Sequence, residues 1–281
     1  MSTPAQTFAG WLAAARVAAQ QPPAQARLPL QVAGQVVGSV ADGVLDTVAP
    51  ALQGGHRLHR QAGGWHLDVP AGQATAGLNA IAAALRARGQ CGPWRNEQLA
   101  VPNAQGEVIA TVERGAVRVL GIATRAVHLV GLVPDGRMWV QLRSRTKPNN
   151  PGMWDTLMGG MVAAVDTLDQ ALARETWEEA GLRTAELAGV AHGGHVLFSR
   201  PSREGGGIGY MVERIDWFRA TVPEGVVPAN QDGEVERFEL LDLGEVQDRV
   251  ARGEFTQEAG LVIGGYLDNA AAGAQPRINQ E

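Results

Sequence analysis

The spacing of apolar and polar residues divides this chain into two stretches, with the change near Arg125. In the first, residues 3–19 are alanine-rich with Phe8, Trp11 and Leu12 at helical spacing, and residues 77–88 repeat it with Leu78, Ile81 and Leu85. Residues 30–40 alternate loosely as a strand, and 108–122 read as two short strands. A mixed α+β unit over residues 1–122 is expected, with no grouping of acids, histidines and nucleophiles that would make a site.

Beyond it, residues 126–133 and 138–142 read as strands joined at the turn signal Pro134-Asp135-Gly136. A Pro/Asn-rich loop, Thr146-Lys147-Pro148-Asn149-Asn150-Pro151-Gly152, leads to a glycine-rich strand over 157–164. The spacing then predicts a helix over 167–180, stopped by Gly181. Strands are expected at 190–198, 208–220 and 235–241, helices at 243–252 and 259–269, and a frayed end from 270 to 281. No internal repeat is present, and residues 123–281 form the expected second domain.

Composition excludes several classes. A 45% hydrophobic, 19% charged chain is globular, not disordered. A net charge of −5 argues against a nucleic-acid-coating surface. No apolar run approaches the roughly 20 residues that span a bilayer, and Met1-Ser2-Thr3-Pro4 carries no basic n-region, so neither membrane nor signal peptide is expected. The single cysteine, Cys91, forms no intrachain disulfide and fits a reducing compartment, by default the cytoplasm. Cys91-Gly92-Pro93-Trp94 lacks the second thiol of a redox motif. The only lysine, Lys147, precedes a proline, so no P-loop exists, and no G-x-S-x-G elbow appears.

The predicted helix ends Arg174-Glu175-Thr176-Trp177-Glu178-Glu179-Ala180-Gly181-Leu182. At about 100° per residue, Glu175 and Glu179 lie about 40° apart, with Glu178 about 60° to the other side. Three carboxylates share one face at the negative end of the helix dipole. Like charges at these spacings cost a few tenths of a kcal/mol each. A solvated acidic face is the ordinary reading, but a bound cation would reverse both penalties. Oxygen ligands select Mg²⁺ or Mn²⁺ over zinc.

From Gly160 to Leu182 the chain reads G-x5-D-x7-R-E-T-x-E-E-x-G-L. This resembles the Nudix box, G-x5-E-x7-R-E-U-x-E-E-x-G-U with U aliphatic, with Asp166 and Thr176 as the two departures. The resemblance implies an α/β fold: a Nudix α/β/α sandwich with a mixed sheet, preceded by a smaller α+β companion domain. It implies Glu175 and Glu179 as principal metal ligands, Glu178 as a further ligand or close neighbour, and a carbonyl of Gly159 or Gly160 completing the sphere. Arg174 would orient the carboxylates. The cofactor would be Mg²⁺ or Mn²⁺ and the reaction attack of water on a diphosphate. Asp166, one methylene shorter than Glu, suits a helix cap. Thr176 is expected to return its hydroxyl to the Leu172 carbonyl.

A wider resemblance covers most of the chain. Trp94-Arg95-Asn96-Glu97 and Val112-Glu113-Arg114 look like parts of the companion domain of one Nudix subgroup. Lys147-Pro148, Pro151-Gly152-Met153-Trp154-Asp155 and the stretch Asn230-Gln231-Asp232-Gly233-Glu234-Val235-Glu236 look like its Nudix half. In fungi that unit is fused to thiamin pyrophosphokinase, and plants have free-standing versions. The implied reaction is hydrolysis of thiamin diphosphate, or its oxidised forms, to the monophosphate.

Arg143, Arg145 and Lys147 are candidates to meet substrate phosphates, against the plainer reading of a solvated strand end. Glu234, with Glu236 on the same strand face, is a candidate base or ligand outside the box. Trp154 and Tyr210 are candidates to stack a heteroaromatic ring, with core packing the more ordinary role. His192-Gly193-Gly194-His195 lacks a third ligand and reads as structural, and Gly205-Gly206-Gly207-Ile208-Gly209 as a flexible loop. The partner expected is a small-molecule diphosphate; a homodimer is left open. Rival readings are a nucleotide-type Nudix pyrophosphatase, an isopentenyl-diphosphate isomerase and a non-catalytic sensor. The isomerase needs a catalytic cysteine, and Cys91 lies far from the box. The intact glutamate set argues against the sensor.

Overall fold

The computed structural model describes residues 6–52, 55–61 and 63–274. Residues 3–5, where the first helix was expected to begin, and 275–281, most of the expected frayed end, lie outside them. Residues 270–274 continue the last helix.

The first half holds a small sheet and a hairpin. Strands β1 (Arg27–Val32) and β2 (Gln35–Ala41) pair antiparallel across Ala33 and Gly34, whose φ angles of 48° and 78° make a left-handed two-residue turn. The run at 30–40 is therefore two strands, not one. Strands β3 (Arg57–Gln61) and β4 (Gly64–Asp68) complete the sheet in the order β2-β1-β4-β3. Helix α2 (Ala74–Ala87) buries Leu78, Ile81 and Leu85 in one core with Leu30, Trp65 and Leu67. Strands β5 (Gln98–Pro102) and β6 (Val108–Glu113) form a separate hairpin. The second strand expected up to residue 122 is instead a tight turn at Arg114–Ala116 and further turns. Its apolar residues Val119, Leu120 and Ile122 are apolar because they are buried, not because they alternate.

The second half is one mixed sheet with helices on both faces. Strands β7 (Ala123–Leu132), β8 (Met138–Arg143), β9 (Trp154–Asp155) and β10 (Met158–Met161) precede helix α3 (Leu168–Ala180). After it come β11 (Ala188–Ser202), the single turn α4 (Glu204–Gly207), β12 (Gly209–Thr221) and β13 (Val235–Leu241), then helices α5 (Leu243–Ala251) and α6 (Gln257–Ala274). The order is β11-β12-β7-β8-β13, with β12 and β7 parallel, β10 on β7 and β9 on β8. The two-residue period of the strands sorts their side chains. Val127, Leu129, Phe218 and Ala220 pack toward α3 with Ala171 and Leu172. Ala126, Val130, Ile215 and Trp217 face the opposite layer, with Val262 and Ile263 of α6.

Helix α1 (Phe8–Ala18) crosses between the halves. Its Leu12 and Ala15 join the core formed by α5 and α6, not that of the small sheet. A Cβ at Gly260 or Gly264 of α6 would collide with Trp11 or Leu12. The opening helix thus packs on the second half, although the sequence groups it with the first.

Candidate active site

Helix α3 is set by its ends. Thr167 caps it, accepting from the Gln170 amide at 3.2 Å while the Gln170 side chain accepts from the Thr167 amide at 2.8 Å. Gly181 closes it at φ 63°. The cap expected of Asp166 therefore belongs to Thr167. Asp166 instead accepts from Arg174 at 2.9 Å. Arg174 then donates to Glu175 at 2.8 Å and to Glu178 at 3.1 Å. The Thr176 hydroxyl donates to the Leu172 carbonyl at 2.6 Å.

Strand β10 approaches this helix through two glycines. A Cβ at Gly160 would land on the Glu175 carboxyl group, and one at Gly159 would come within 2.6 Å of the His128 ring. The strand carries no side chains here because Glu175 occupies one face and His128 the other. His128 bonds Thr156 at 2.9 Å, and the Thr156 hydroxyl donates to the Met158 carbonyl at 2.8 Å.

Glu179 is 1% exposed, and both its oxygens are engaged. One accepts from Gln141 at 2.8 Å and from the Gly159 amide at 3.0 Å. The other accepts from the Lys147 ammonium at 2.8 Å. Lys147, itself buried, also pairs with Glu234 at 2.7 Å. The chain's only lysine thus bridges two carboxylates. Burial opposes the Lys147 charge, but Glu179 outweighs it and holds the ammonium above its ordinary range. For Glu234, burial raises the carboxyl, yet the Lys147 bond brings it below its ordinary value.

Glu175 has only a shared partner, Arg174 at 2.8 Å. Burial pushes its carboxyl up to about 7, with Arg174 opposing the rise and Glu179 adding to it. Arg174 is shared among three carboxylates, so it neutralises none of them fully. Glu175, Glu178, Glu179 and Glu234 line one cavity of about 310 Å³. Among the described residues no three His, Cys, Asp or Glu side chains are grouped closely enough to hold a metal ion. Their oxygens turn to Arg174 and Lys147 instead. A divalent cation still fits the donors: they are all oxygen, they share one cavity, and Glu175 is buried without full countercharge.

Arg143 reaches the cavity but is braced by Asp155 at 3.0 Å and by the Asn149 and Asn150 carbonyls. Three expected contacts fall elsewhere. Arg145 is 81% exposed and faces Glu236 at 3.9 Å, away from the cavity, because the loop turns it to solvent. Trp154 is 6% exposed, lies in the core beside Phe255 at 6.4 Å between ring centroids, and is flanked by Arg237 and Arg249. Tyr210 donates to the Gln21 carbonyl at 2.9 Å and ties down the segment after α1. Neither ring reaches the cavity, so neither stacks on a ligand there. Of the 205–209 stretch, Gly205, Gly206 and Gly207 lie in the turn α4, all at positive φ, and Gly209 opens β12.

Sequence reasoning missed His128, Gln141, Arg95 and Arg114. His128 and Gln141 were detectable as lone polar residues within apolar strands. Arg95 and Arg114 stand in the motifs that resemble a companion domain, but nothing local gave them a site role, since only folding brings them beside α3. Next to the carboxylates lies a smaller recess of about 120 Å³, walled by Arg114, Arg118, Arg143, Ala126, His128 and Ile215.

Residues 123–259 match the NUDIX domain family. The chain is 30% identical over 190 residues to the uncharacterized protein YJR142W of Saccharomyces cerevisiae, covering 62% of this chain and 54% of that protein. It is 32% identical over 180 residues to Nudix hydrolase 20, chloroplastic, of Arabidopsis thaliana, covering 62% of this chain and 46% of that one. The chain thus spans about half the length of these curated relatives. The crystal structure of DR0079 from Deinococcus radiodurans aligns with a TM-score of 0.48 at 23% identity, over 60% of this chain and 99% of that one.

Proposed function

The second half of this chain belongs to the Nudix superfamily, and on that footing we propose that the protein hydrolyses a diphosphate linkage in a small molecule with the help of a divalent cation. The observation that carries the proposal is the convergence of Glu175, Glu178 and Glu179 with Glu234 on one cavity, against a strand whose glycines leave room for them. The all-oxygen donors favour Mg²⁺ or Mn²⁺. When bound, such a cation supplies charge to the phosphoryl oxygens and acidifies water at the site.

The chain's own residues do the positioning. Asp166 holds Arg174, and Arg174 holds Glu175 and Glu178 on the cavity side of α3. Gln141 and the Gly159 amide fix one Glu179 oxygen. That leaves the oxygen facing Lys147 as the one free to exchange partners. Release of Lys147 from Glu179 would place an ammonium beside the ligand phosphates. Glu234, half-exposed at the rim, is then positioned to take a proton from water.

The finer reading is thiamin diphosphate or its oxidised forms, cleaved to the monophosphate. It is supported by the motif resemblance. Aromatic stacking by Trp154 or Tyr210 no longer supports it. The single cysteine supports a reducing compartment, the cytoplasm by default. No helix among the described residues is long and apolar enough to cross a membrane. Thiamin diphosphate, its oxo form, ADP-ribose and dGTP, assayed at equal Mg²⁺, test the substrate. A higher kcat/KM for a thiamin compound is expected. A tenfold advantage for either nucleotide over both would replace this reading with a nucleotide pyrophosphatase.

A further inference from the structure

The cations of the cavity are unequally committed. Arg174 is taken by Asp166, Glu175 and Glu178. Lys147 is taken by Glu179 and Glu234, and Arg143 by Asp155. Two more arginines line the same cavity, and both come from the first half of the chain: Arg95, just before β5, and Arg114, just after β6. Arg114 has one partner, Glu97 at 2.7 Å. Arg95 is exposed, and its guanidinium forms no ion pair or hydrogen bond with any described residue.

These two side chains are mounted on a rigid clasp. Glu113 is 1% exposed, and its carboxylate accepts from the Arg95 amide at 2.7 Å and the Gly115 amide at 3.4 Å. The Arg114 amide donates to the Glu97 carbonyl at 2.8 Å, and the Gly92 amide to the Gly115 carbonyl at 2.8 Å. A Cβ at Gly115 would come within 2.9 Å of the Pro93 carbonyl oxygen, so the two segments lie in direct contact. Asn96 adopts φ 55° and accepts from the Trp94 indole at 2.9 Å, and Trp94 carries the Arg86 guanidinium 4.3 Å from its ring centroid. A buried carboxylate that could have paired with a guanidinium is spent on two backbone amides. The guanidinium groups are left for the cavity.

We infer that Arg95 and Arg114 form a phosphate-binding pair donated by the N-terminal unit, gripping the ligand's phosphate groups opposite the carboxylates of α3. This rests on the diphosphate reading above. Two guanidinium forks match phosphoryl oxygens in geometry and charge, and the backbone that carries them is anchored in advance, which removes that part of the ordering cost of binding. The N-terminal unit then has a chemical role in recognition. It also supplies the cations that the sequence assigned to Arg145.

The test uses the full chain with Mg²⁺ and methylenediphosphonate, a diphosphate that cannot be hydrolysed, by calorimetric titration. Arg95→Ala and Arg114→Ala are each expected to weaken its binding roughly tenfold or more, with Mg²⁺ binding in the absence of the diphosphonate unchanged. Arg95→Lys is expected to recover part of the loss. On the best substrate KM should rise more than kcat falls, as for a group that holds substrate and not the reacting atoms. Because Arg114 also braces Glu97, the exposed Arg95 decides the matter if Arg114→Ala misfolds. Wild-type diphosphonate affinity in a folded Arg95→Ala protein would overturn the inference, as would a wild type that binds no diphosphonate. Failure of the diphosphate reading itself would show separately, as wild type lacking Mg²⁺-dependent turnover on every diphosphate.

Discussion

Glu179→Gln changes one buried oxygen and removes one charge. From the helix alone, the change relieves repulsion with Glu175 and Glu178, and the metal-free protein should melt at the same temperature or higher. The structure reverses that expectation. Glu179 is neutralised by Lys147 at 2.8 Å, and its other oxygen accepts from Gln141 and the Gly159 amide. A glutamine keeps one acceptor, but its amide meets either the Gln141 amide or the Lys147 ammonium donor to donor. Breaking a buried pair costs about 3–5 kcal/mol when the partner is stranded. Lys147 retains Glu234, so a loss of about 2 kcal/mol is expected. With an unfolding entropy of about 2.1 cal/mol/K per residue, a chain of 281 residues would melt roughly 3 °C lower. Calorimetry of both proteins in EDTA measures it, and Lys147→Met in the same background completes a double-mutant cycle. A Glu179→Gln protein melting at or above wild type would refute the claim that Lys147 is the internal countercharge.

Glu175 links stability to pH. Its folded carboxyl titrates near 7 against an ordinary 4.5, so its contribution is fully present below about 4.5 and is lost as pH rises through about 7. At 1.36 kcal/mol per pH unit this approaches about 3 kcal/mol. Metal-free Glu175→Gln should therefore gain on wild type in melting temperature across that window, and Mg²⁺ binding to wild type at pH 6.5 should release a proton. Equal melting curves at every pH would contradict the shift. Gly160→Ala should cut kcat at least tenfold and weaken Mg²⁺ binding with little change in fold, because its Cβ displaces the Glu175 carboxyl; wild-type Mg²⁺ affinity would count against Glu175 as a ligand. Trp154→Ala should cost about 3–5 kcal/mol of stability, as for a buried ring, and leave KM within twofold. A selective rise in KM with normal stability would restore Trp154 as a stacking residue.

What the sequence made legible was local. The strand–helix spacing from Gly160 to Leu182 places Arg174 and three glutamates on one helix face, and both ends of α3 carry their signals within four residues. The Thr176 bond to Leu172 was likewise readable, being one turn long. Strands β3 and β4 escaped notice because their side chains, such as Arg57, His59 and Arg60, mix polarity in a half-buried sheet. The countercharges escaped for a different reason. Lys147 lies 32 residues before Glu179, and Arg95 and Arg114 come from another unit altogether. Repulsion along a helix can be read from one segment; its compensation across space cannot. Trp154 misled because its place just before the glycine-rich strand β10 says nothing about which way its ring turns, and the bulky apolar ring turned to the core.

Metal-dependent diphosphate cleavage, followed by chromatography of the monophosphate products, tests the central claim most directly. Purified wild type and Glu179→Gln are compared across a panel of diphosphate compounds, with saturating Mg²⁺ or Mn²⁺ and with EDTA. The predicted result is turnover by wild type that EDTA abolishes and a kcat at least about 10² lower in Glu179→Gln on the same substrate. Turnover that persists in EDTA, or a Glu179→Gln protein working at the wild-type rate with saturating metal, would contradict the account.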